Sequence, residues 1–306
     1  WSSMIYLLGG CTVVLNPDRS LDGERLWDMV EREKINGISI VGDAMAGPLL
    51  NALDNNKGRW NLDHFFSIGS GGAVFSPVSQ ERFKAHFPNA FIMNSFGSSE
   101  SGNMGFDSGS EKTGSSLGNV VRSEFMDVIT DNEGEPHRHA EVGEQGIFSR
   151  SGYIPIGYYG DPEKTAKTFV QVDGKRWLLT GDAAKLEEDG SITIFGRGSN
   201  CINTGGEKVF PEEVEQAVKR HNSVVDALVV AVPDDRFGSR VATVVTVEEG
   251  NALSLEALQE EARKHISGYK VPRELHIVTE IPRAPSGKPN YLKATELALD
   301  GRWLVS

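Results

Sequence analysis

Asp182 and Arg197 have the chemistry to hold a sugar. Asp182 closes a Thr180-Gly181-Asp182 corner, and Arg197 follows Gly196. A carboxylate and a guanidinium presented in this way can grip the two hydroxyls of a ribose, because charge strengthens each hydrogen bond. A second cluster, Phe96-Gly97-Ser98-Ser99-Glu100, sets hydroxyls and a carboxylate after a glycine. Such a turn can hold phosphate oxygens and Mg²⁺, a hard cation that takes oxygen ligands. Gly205 and Gly206 let backbone approach a ligand where any Cβ would intrude. Lys288 is a cation in the glycine-bearing stretch Pro285-Ser286-Gly287-Lys288. Each feature also has a plain reading: a hairpin turn for 180–182, an ordinary polar turn for 96–100, a surface ion pair for Arg197, a flexible loop for 205–206 and a solvated lysine for 288.

The elements that must position these residues change in texture along the chain. The first hundred residues alternate strand and helix in the α/β manner. Strands are expected at Thr12–Leu15, Gly37–Val41, Phe65–Ser70 and Phe91–Phe96. Leu26, Met29 and Val30 recur at helical spacing, and Ser76-Pro77 opens a helix with Ser as N-cap and Pro at the first helical position. From about Phe125, short alternating stretches (Phe125–Thr130, Gly146–Arg150, Arg176–Thr180, Ser191–Phe195) sit between Asp/Asn/Gly turns, the pattern of a small antiparallel sheet or barrel. Asp161-Pro162 begins one brief helix within it. After Arg197, helices at Pro211–His221, from Ser254 to about His265 and from Tyr291 alternate with strands at Val224–Val232, Val241–Val247 and Glu274–Thr279. Pro211-Glu212-Glu213 suits a helix's first turn, and Gly196-Arg197-Gly198-Ser199 is the natural linker.

The 306 residues suffice for two domains. A net charge of −12, from 31 Lys+Arg against 43 Asp+Glu, argues against a broad nucleic-acid surface while leaving room for a local basic pocket. No apolar run reaches bilayer length. Cys11 and Cys201 give no disulfide framework and fit a reducing cytoplasm. The chain opens on Trp1 without a signal core and reads as the interior of a longer protein.

Taken in order, GGA (71–73), FGSSE (96–100), TGD (180–182), GR (196–197), TGGEKVFPEEVE (204–215), VPDDRFG (232–238) and PRAPSGKPN (282–290) resemble the adenylate-forming acyl-CoA synthetase family. That family includes adenylation domains of non-ribosomal peptide synthetases and firefly-type luciferases. The resemblance implies an α/β fold: the remainder of a large N-terminal domain (1–198, an α/β layer to about 120 and a small antiparallel β-barrel at about 121–198), then a small, mobile α+β C-terminal domain (199–306). It also implies an ATP-dependent ligase that joins a carboxylic acid to AMP and passes the acyl group to CoA. Gly71, Gly72 and Ala73 would border adenine, Phe96 would pack on the purine and Gly97 would belong to the same nucleotide site. Ser99 would bind phosphate and Glu100 Mg²⁺, while Asp182 and Arg197 would clasp the ribose. Lys288 would reach in during adenylation, Ser199 would be the hinge, and Gly205 and Gly206 would line the pantetheine tunnel.

Ser199 stands where Asp or Lys is usual in the family, Asn203 where Lys is common, and Leu179 where a basic residue is common. The family's phosphate loop is expected upstream of Trp1, and 109–114 (GSEKTG) has its composition without its spacing, so the chain alone is expected to be poorly active. The acyl pocket is expected near Gly71, Gly97–Gly105 and the loop to Gly118, whose small residues suit fatty, aromatic or steroid acids. INTGGEKVFPEEVE looks most like actinobacterial fatty- or steroid-acid CoA ligases. A carrier-protein-loading adenylation domain, a luciferase-like oxygenase and a non-catalytic nucleotide- or CoA-binding product remain alternatives, and a homodimer remains open.

Overall fold

The computed structural model describes residues 2–18, 20–107, 118–248, 250–284 and 286–305. The chain divides into two compact units, residues 1–97 with 105–110 and residues 98–104 with 111–306.

The first unit begins with α1 (Ser2–Leu8), α2 (Gly23–Arg32), β1 (Gly37–Ile40), α3 (Gly42–Asn55), β2 (Ser67–Gly71), α4 (Pro77–His86) and β3 (Phe91–Ser98); β4 (Gly102–Asp107) follows. The sheet order is β1-β2-β3-β4, with β1, β2 and β3 parallel. Asp22 caps α2 by accepting from the Arg25 N–H, and Ser76 caps α4 by accepting from that of Ser79. The apolar face of α2 delivers Trp27 and Val30 to a core with Leu49, Leu50, Ile68 and Phe83. The Trp27 indole N–H, buried there, donates to the Leu49 carbonyl at 3.0 Å. The strand expected at Thr12–Leu15 does not form: 11–18 is irregular, and Leu15 is 74 % exposed. Among the described residues no strand pairs with it, and β-branched side chains do not make a strand without a partner surface.

The second unit starts with β5 (Gly118–Val121), β6 (Met126–Ile129), β7 (Gln145–Ser151), α5 (Pro162–Thr168), β8 (Phe169–Val172), β9 (Lys175–Leu186) and β10 (Ser191–Arg197). These strands form an antiparallel sheet ordered β5-β10-β9-β7-β6, with β8 also on β9. Its apolar side gathers Ile129, Val170, Val172, Trp177 and Leu179. Leu179, where the family often has a basic residue, is thus a core position.

A single 3₁₀ turn, Gly198–Asn200, leads to β11 (Ile202–Thr204), β12 (Glu207–Val209), α6 (Pro211–Val218), β13 (Val224–Asp234), β14 (Gly238–Val247), α7 (Leu255–Arg263), β15 (Glu274–Ile277) and α8 (Tyr291–Asp300). The sheet β13-β14-β15 is covered on both faces. Val229 and Val245 face Val214, Val218 and Leu258 of α6 and α7, whereas Leu228, Val230 and Val244 face Ala294 and Ala298 of α8. Two-sided burial explains why β13 and β14 read as nearly continuous apolar runs.

Candidate active site

The Thr180-Gly181-Asp182 corner is neither a hairpin turn nor a strand end. It lies inside β9 as a bulge: Ile147 pairs with Ala183 and Ser149 with Leu179, so Phe148 of β7 faces the whole triplet. The Thr180 hydroxyl fixes the bulge by donating to the Phe148 carbonyl at 2.7 Å and accepting the Asp182 N–H at 3.1 Å. A second register shift, between Ile194 and Gly196 of β10, makes Arg197 the direct cross-strand partner of Asp182. Arg197 Nε lies 2.9 Å from Asp182 Oδ1, and its Nη1 donates to the Thr180 carbonyl at 2.9 Å. Burial raises the Asp182 carboxyl, and Arg197 opposes that shift.

Gly196 is where the linker region meets α6. Its φ of 149° falls outside the usual range for L side chains, and a Cβ there would lie 2.4 Å from Glu212 Oε2. Glu212 Oε1 accepts from the Arg197 N–H at 3.4 Å, while Oε2 is buried without a hydrogen-bond partner among the described residues. Burial pushes the Glu212 carboxyl up to about 7, and the charge of Asp182 adds to the shift. The acidic helix start is therefore more than a complement to the helix dipole. Glu213 is buried against Lys270 at 2.7 Å, and Glu215, raised by burial to about 8, accepts the Val229 N–H at 3.0 Å.

At 98–101 the chain forms a serine knot. The Ser98 N–H donates to Ser101 Oγ at 2.8 Å, and the Ser101 N–H donates back to Ser98 Oγ at 3.1 Å. Ser99 is left exposed beside half-buried Glu100. Tyr158, just ahead of α5, donates its phenol to Glu100 Oε1 at 2.8 Å. That bond holds the Glu100 carboxyl below its ordinary value against the opposing effect of burial, with help from Lys164. Lys164 Nζ sits 4.0 Å from the Tyr158 ring centre. No group of three or more His, Cys, Asp or Glu with metal-binding geometry occurs among the described residues.

Gly205 and Gly206 form a two-residue hairpin between β11 and β12, with φ of 61° and 89°. Both positive values are what a type I′ turn requires, so the pair is a tight hairpin turn. The Gly205 N–H donates to the Phe237 carbonyl at 2.9 Å. Ser199 is exposed in the linking 3₁₀ turn. Lys288 is exposed on a loop closed by the Ala284 N–H to Lys288 carbonyl bond at 2.9 Å and the Asn290 N–H to Pro282 carbonyl bond at 3.0 Å.

In the first unit, Gly71 ends β2 opposite Ser95, whose hydroxyl donates to the Ser70 carbonyl at 2.8 Å. Gly72 and Ala73 continue into a loop tied to the start of α3. There the Asp43 N–H donates to the Val74 carbonyl at 2.9 Å, and Asp43 Oδ1 accepts from the Ser76 N–H and hydroxyl, each at 3.0 Å. Gly97 is exposed within β3. The side chain of Phe96 lies outside the described residues, as do residues 109–114 and the loop toward Gly118. A cavity of about 740 Å³ in this unit is lined by Tyr6, Val13, Leu21, Leu26, Val30 and Ile38 among others, and includes none of the motif residues.

Sequence reading missed Tyr158, Glu212, Asp226 and Arg283. Only Arg283 and Glu212 fell inside quoted motifs. Tyr158 stood next to an anticipated helix start with nothing local to link it to Glu100.

The α/β and α+β architecture is that of adenylate-forming enzymes. The model for the AMP-binding enzyme family matches residues 1–159, and that for the AMP-binding enzyme C-terminal domain matches 213–288. The chain is 42% identical over 297 residues to a 3-oxocholest-4-en-26-oate–CoA ligase of Rhodococcus rhodochrous, covering 95% of this chain and 53% of the relative. It is 43% identical over 295 residues to a medium/long-chain-fatty-acid–CoA/3-oxocholest-4-en-26-oate–CoA ligase of Mycobacterium tuberculosis, covering 96% and 53%. The fold matches an anthranilate CoA ligase, AuaEII, solved with anthranoyl-AMP, with a TM-score of 0.79 at 21% identity over 95% of this chain and 56% of that one. The chain belongs to the AMP-binding enzyme family. It spans about half the length of the curated relatives it matches.

Proposed function

We propose that this chain is the ribose-, metal- and thiol-handling part of an ATP-dependent acyl-CoA ligase acting on fatty or steroid side-chain acids. The observation that carries the reading is the Asp182–Arg197 pair, built by two strand irregularities at the same level of one sheet. A bulge costs regular pairing and serves to re-aim side chains; here two bulges aim opposite charges at one place. The names of the relatives support the substrate class and the use of CoA.

In the first step an oxygen of the acid's carboxylate attacks the α-phosphorus of ATP, the bond to pyrophosphate breaks, and acyl-AMP forms. Asp182 and Arg197 hold the ribose hydroxyls, Gly71, Gly72 and Ala73 border the adenine with Phe96 on its face, and Gly97 and Ser99 contact phosphate. The Lys288 ammonium stabilises charge gathering between the carboxylate and the α-phosphate. Glu100 fits Mg²⁺ as a single carboxylate kept ionised by Tyr158, since that ion completes its shell with water and substrate oxygens. Once bound, Mg²⁺ supplies neutralisation of phosphate charge.

In the second step the sulfur of CoA attacks the acyl carbon, the thiol proton is released, and AMP leaves. The exposed Ser199 turn is the hinge between the two arrangements, separating domains at 1–198 and 199–306. Gly205 and Gly206 then lie along the pantetheine arm, where a turn without side chains leaves room. The unpaired cysteines, exposed Cys11 and half-buried Cys201, suit a cytoplasmic setting.

The test is ATP–pyrophosphate exchange with a panel of fatty, aromatic and steroid acids, run on the full-length polypeptide that carries this chain. Acid-dependent exchange that Lys288→Ala abolishes, with thioester formation from supplied acyl-AMP retained, is the expected result. Absence of acid-dependent exchange refutes the ligase reading.

A further inference from the structure

The loop that carries Lys288 is tied to the fold that bears it. Besides its own backbone bonds, it is gripped from beneath by Arg283, whose Nη1 donates to the Gly287 carbonyl at 2.9 Å. The same guanidinium is anchored to β13: Nε and Nη2 donate to Asp226 Oδ2, at 3.2 and 2.5 Å. Asp226 Oδ1 is occupied in turn by Lys219 Nζ at 2.8 Å and the Ala227 N–H at 2.9 Å. All three charged side chains are less than a fifth exposed. Burial alone would raise the Asp226 carboxyl, but Lys219 and Arg283 outweigh it and hold the group below its ordinary value. A buried ion cluster in the C-terminal fold thus reaches the carbonyl immediately before Lys288.

We propose that Arg283 is a positioning residue for Lys288: fixed on Asp226, its guanidinium sets the Gly287 carbonyl and with it the direction in which the Lys288 ammonium is presented. The inference rests on the adenylation role proposed for Lys288. Arginine suits the task because its planar fork spans the carboxylate and the carbonyl together. A lysine at 283 could neutralise Asp226 but has no such fork.

The test compares Arg283→Lys, Arg283→Ala and Lys288→Ala in the full-length polypeptide, measuring each half-reaction. For Arg283→Lys, kcat of acid-dependent ATP–pyrophosphate exchange is expected to fall about 10- to 100-fold, the loss that a displacement near 1 Å produces. Acyl transfer from supplied acyl-AMP to CoA should be spared, because that step does not use Lys288 in the proposed scheme. Hydrogen exchange at the Ala284 and Gly287 amides should accelerate while that of β13 does not. Equal loss of both half-reactions, unchanged exchange kinetics in both Arg283 variants, or failure of both to fold would each overturn the proposal, because Arg283 would then be merely structural or dispensable. If Lys288→Ala leaves adenylation intact, it is the Lys288 reading that fails, and the positioning role falls with it. If Lys288→Ala abolishes adenylation and the Arg283 variants spare it, only the positioning role fails.

Discussion

Glu212→Gln should stabilise the C-terminal fold at alkaline pH and leave it unchanged in acid. Glu212 is buried under Gly196, with Oε2 unpartnered among the described residues, the charge of Asp182 beside it and the carboxyl of Glu215 in the same buried cluster. Arg197 is the cation beside it, and Tyr291 adds a phenol to the same cluster. Its carboxyl is pushed up to about 7 from an ordinary 4.5. Between those two values the unfolded chain binds fewer protons than the folded one, so stability falls as pH rises through that interval. The displacement, about 7 minus 4.5 or roughly 2.5 pH units, comes to about 3 kcal/mol at about 1.4 kcal/mol per unit. Glutamine keeps the shape and the acceptor for the Arg197 N–H but cannot ionise. The variant should therefore match wild type near pH 4.5 and exceed it by about 3 kcal/mol at pH 8, with most of the gain between. Urea denaturation followed through hydrogen exchange of the β13 and β14 amides isolates this part of the chain. A difference that stays flat from acid to alkali, or a variant less stable at pH 8, refutes the assignment of a buried, reluctantly ionised carboxyl.

Asp182→Asn should raise the KM for ATP about 10- to 100-fold, the worth of one or two hydrogen bonds to a charged group; an unchanged KM refutes the ribose role proposed for Asp182. Tyr158→Phe takes away the main influence lowering the Glu100 carboxyl, so the acidic limb of the adenylation pH profile should move to higher pH; an unmoved limb shows that Tyr158 does not govern Glu100. Gly205→Ala places a Cβ at φ 61° and 3.1 Å from the Phe237 ring, which should cost about 1 kcal/mol or more. It should also raise the KM for CoA with little effect on pyrophosphate exchange, and loss of exchange would remove the turn from the thiol side.

What could be read from the sequence was local. The Ser76 and Asp161 caps depend on contacts a few residues away, and both helices start where expected. The burial of β13 and β14 on both faces matches their nearly continuous apolar runs, Ala227–Val232 and Val241–Val245. Features that failed depend on distant partners. Thr12–Leu15 has strand propensity but, among the described residues, no strand beside it, and the plain alternative of a hairpin turn at Thr180–Asp182 fails because only the β7 register shows that the corner is a bulge. Pro211-Glu212-Glu213 does open a helix, as its composition suggests, but nothing local shows that Glu212, Glu213 and Glu215 are buried, because burial comes from β10, β13 and Lys270, which no window around Pro211 contains. The Tyr158–Glu100 bond joins residues far apart in sequence, and neither reveals the other.

The Lys219–Asp226–Arg283 cluster has a consequence for recombining chains of this family. A crossover at Ser199 transfers the cluster and the lysine loop as one inherited block. A crossover between β13 and the loop would pair an aspartate from one parent with whatever the other carries at 283. Only exchanges that keep both charges should preserve the loop's set, so segment boundaries are best placed before Lys219 or after Lys288.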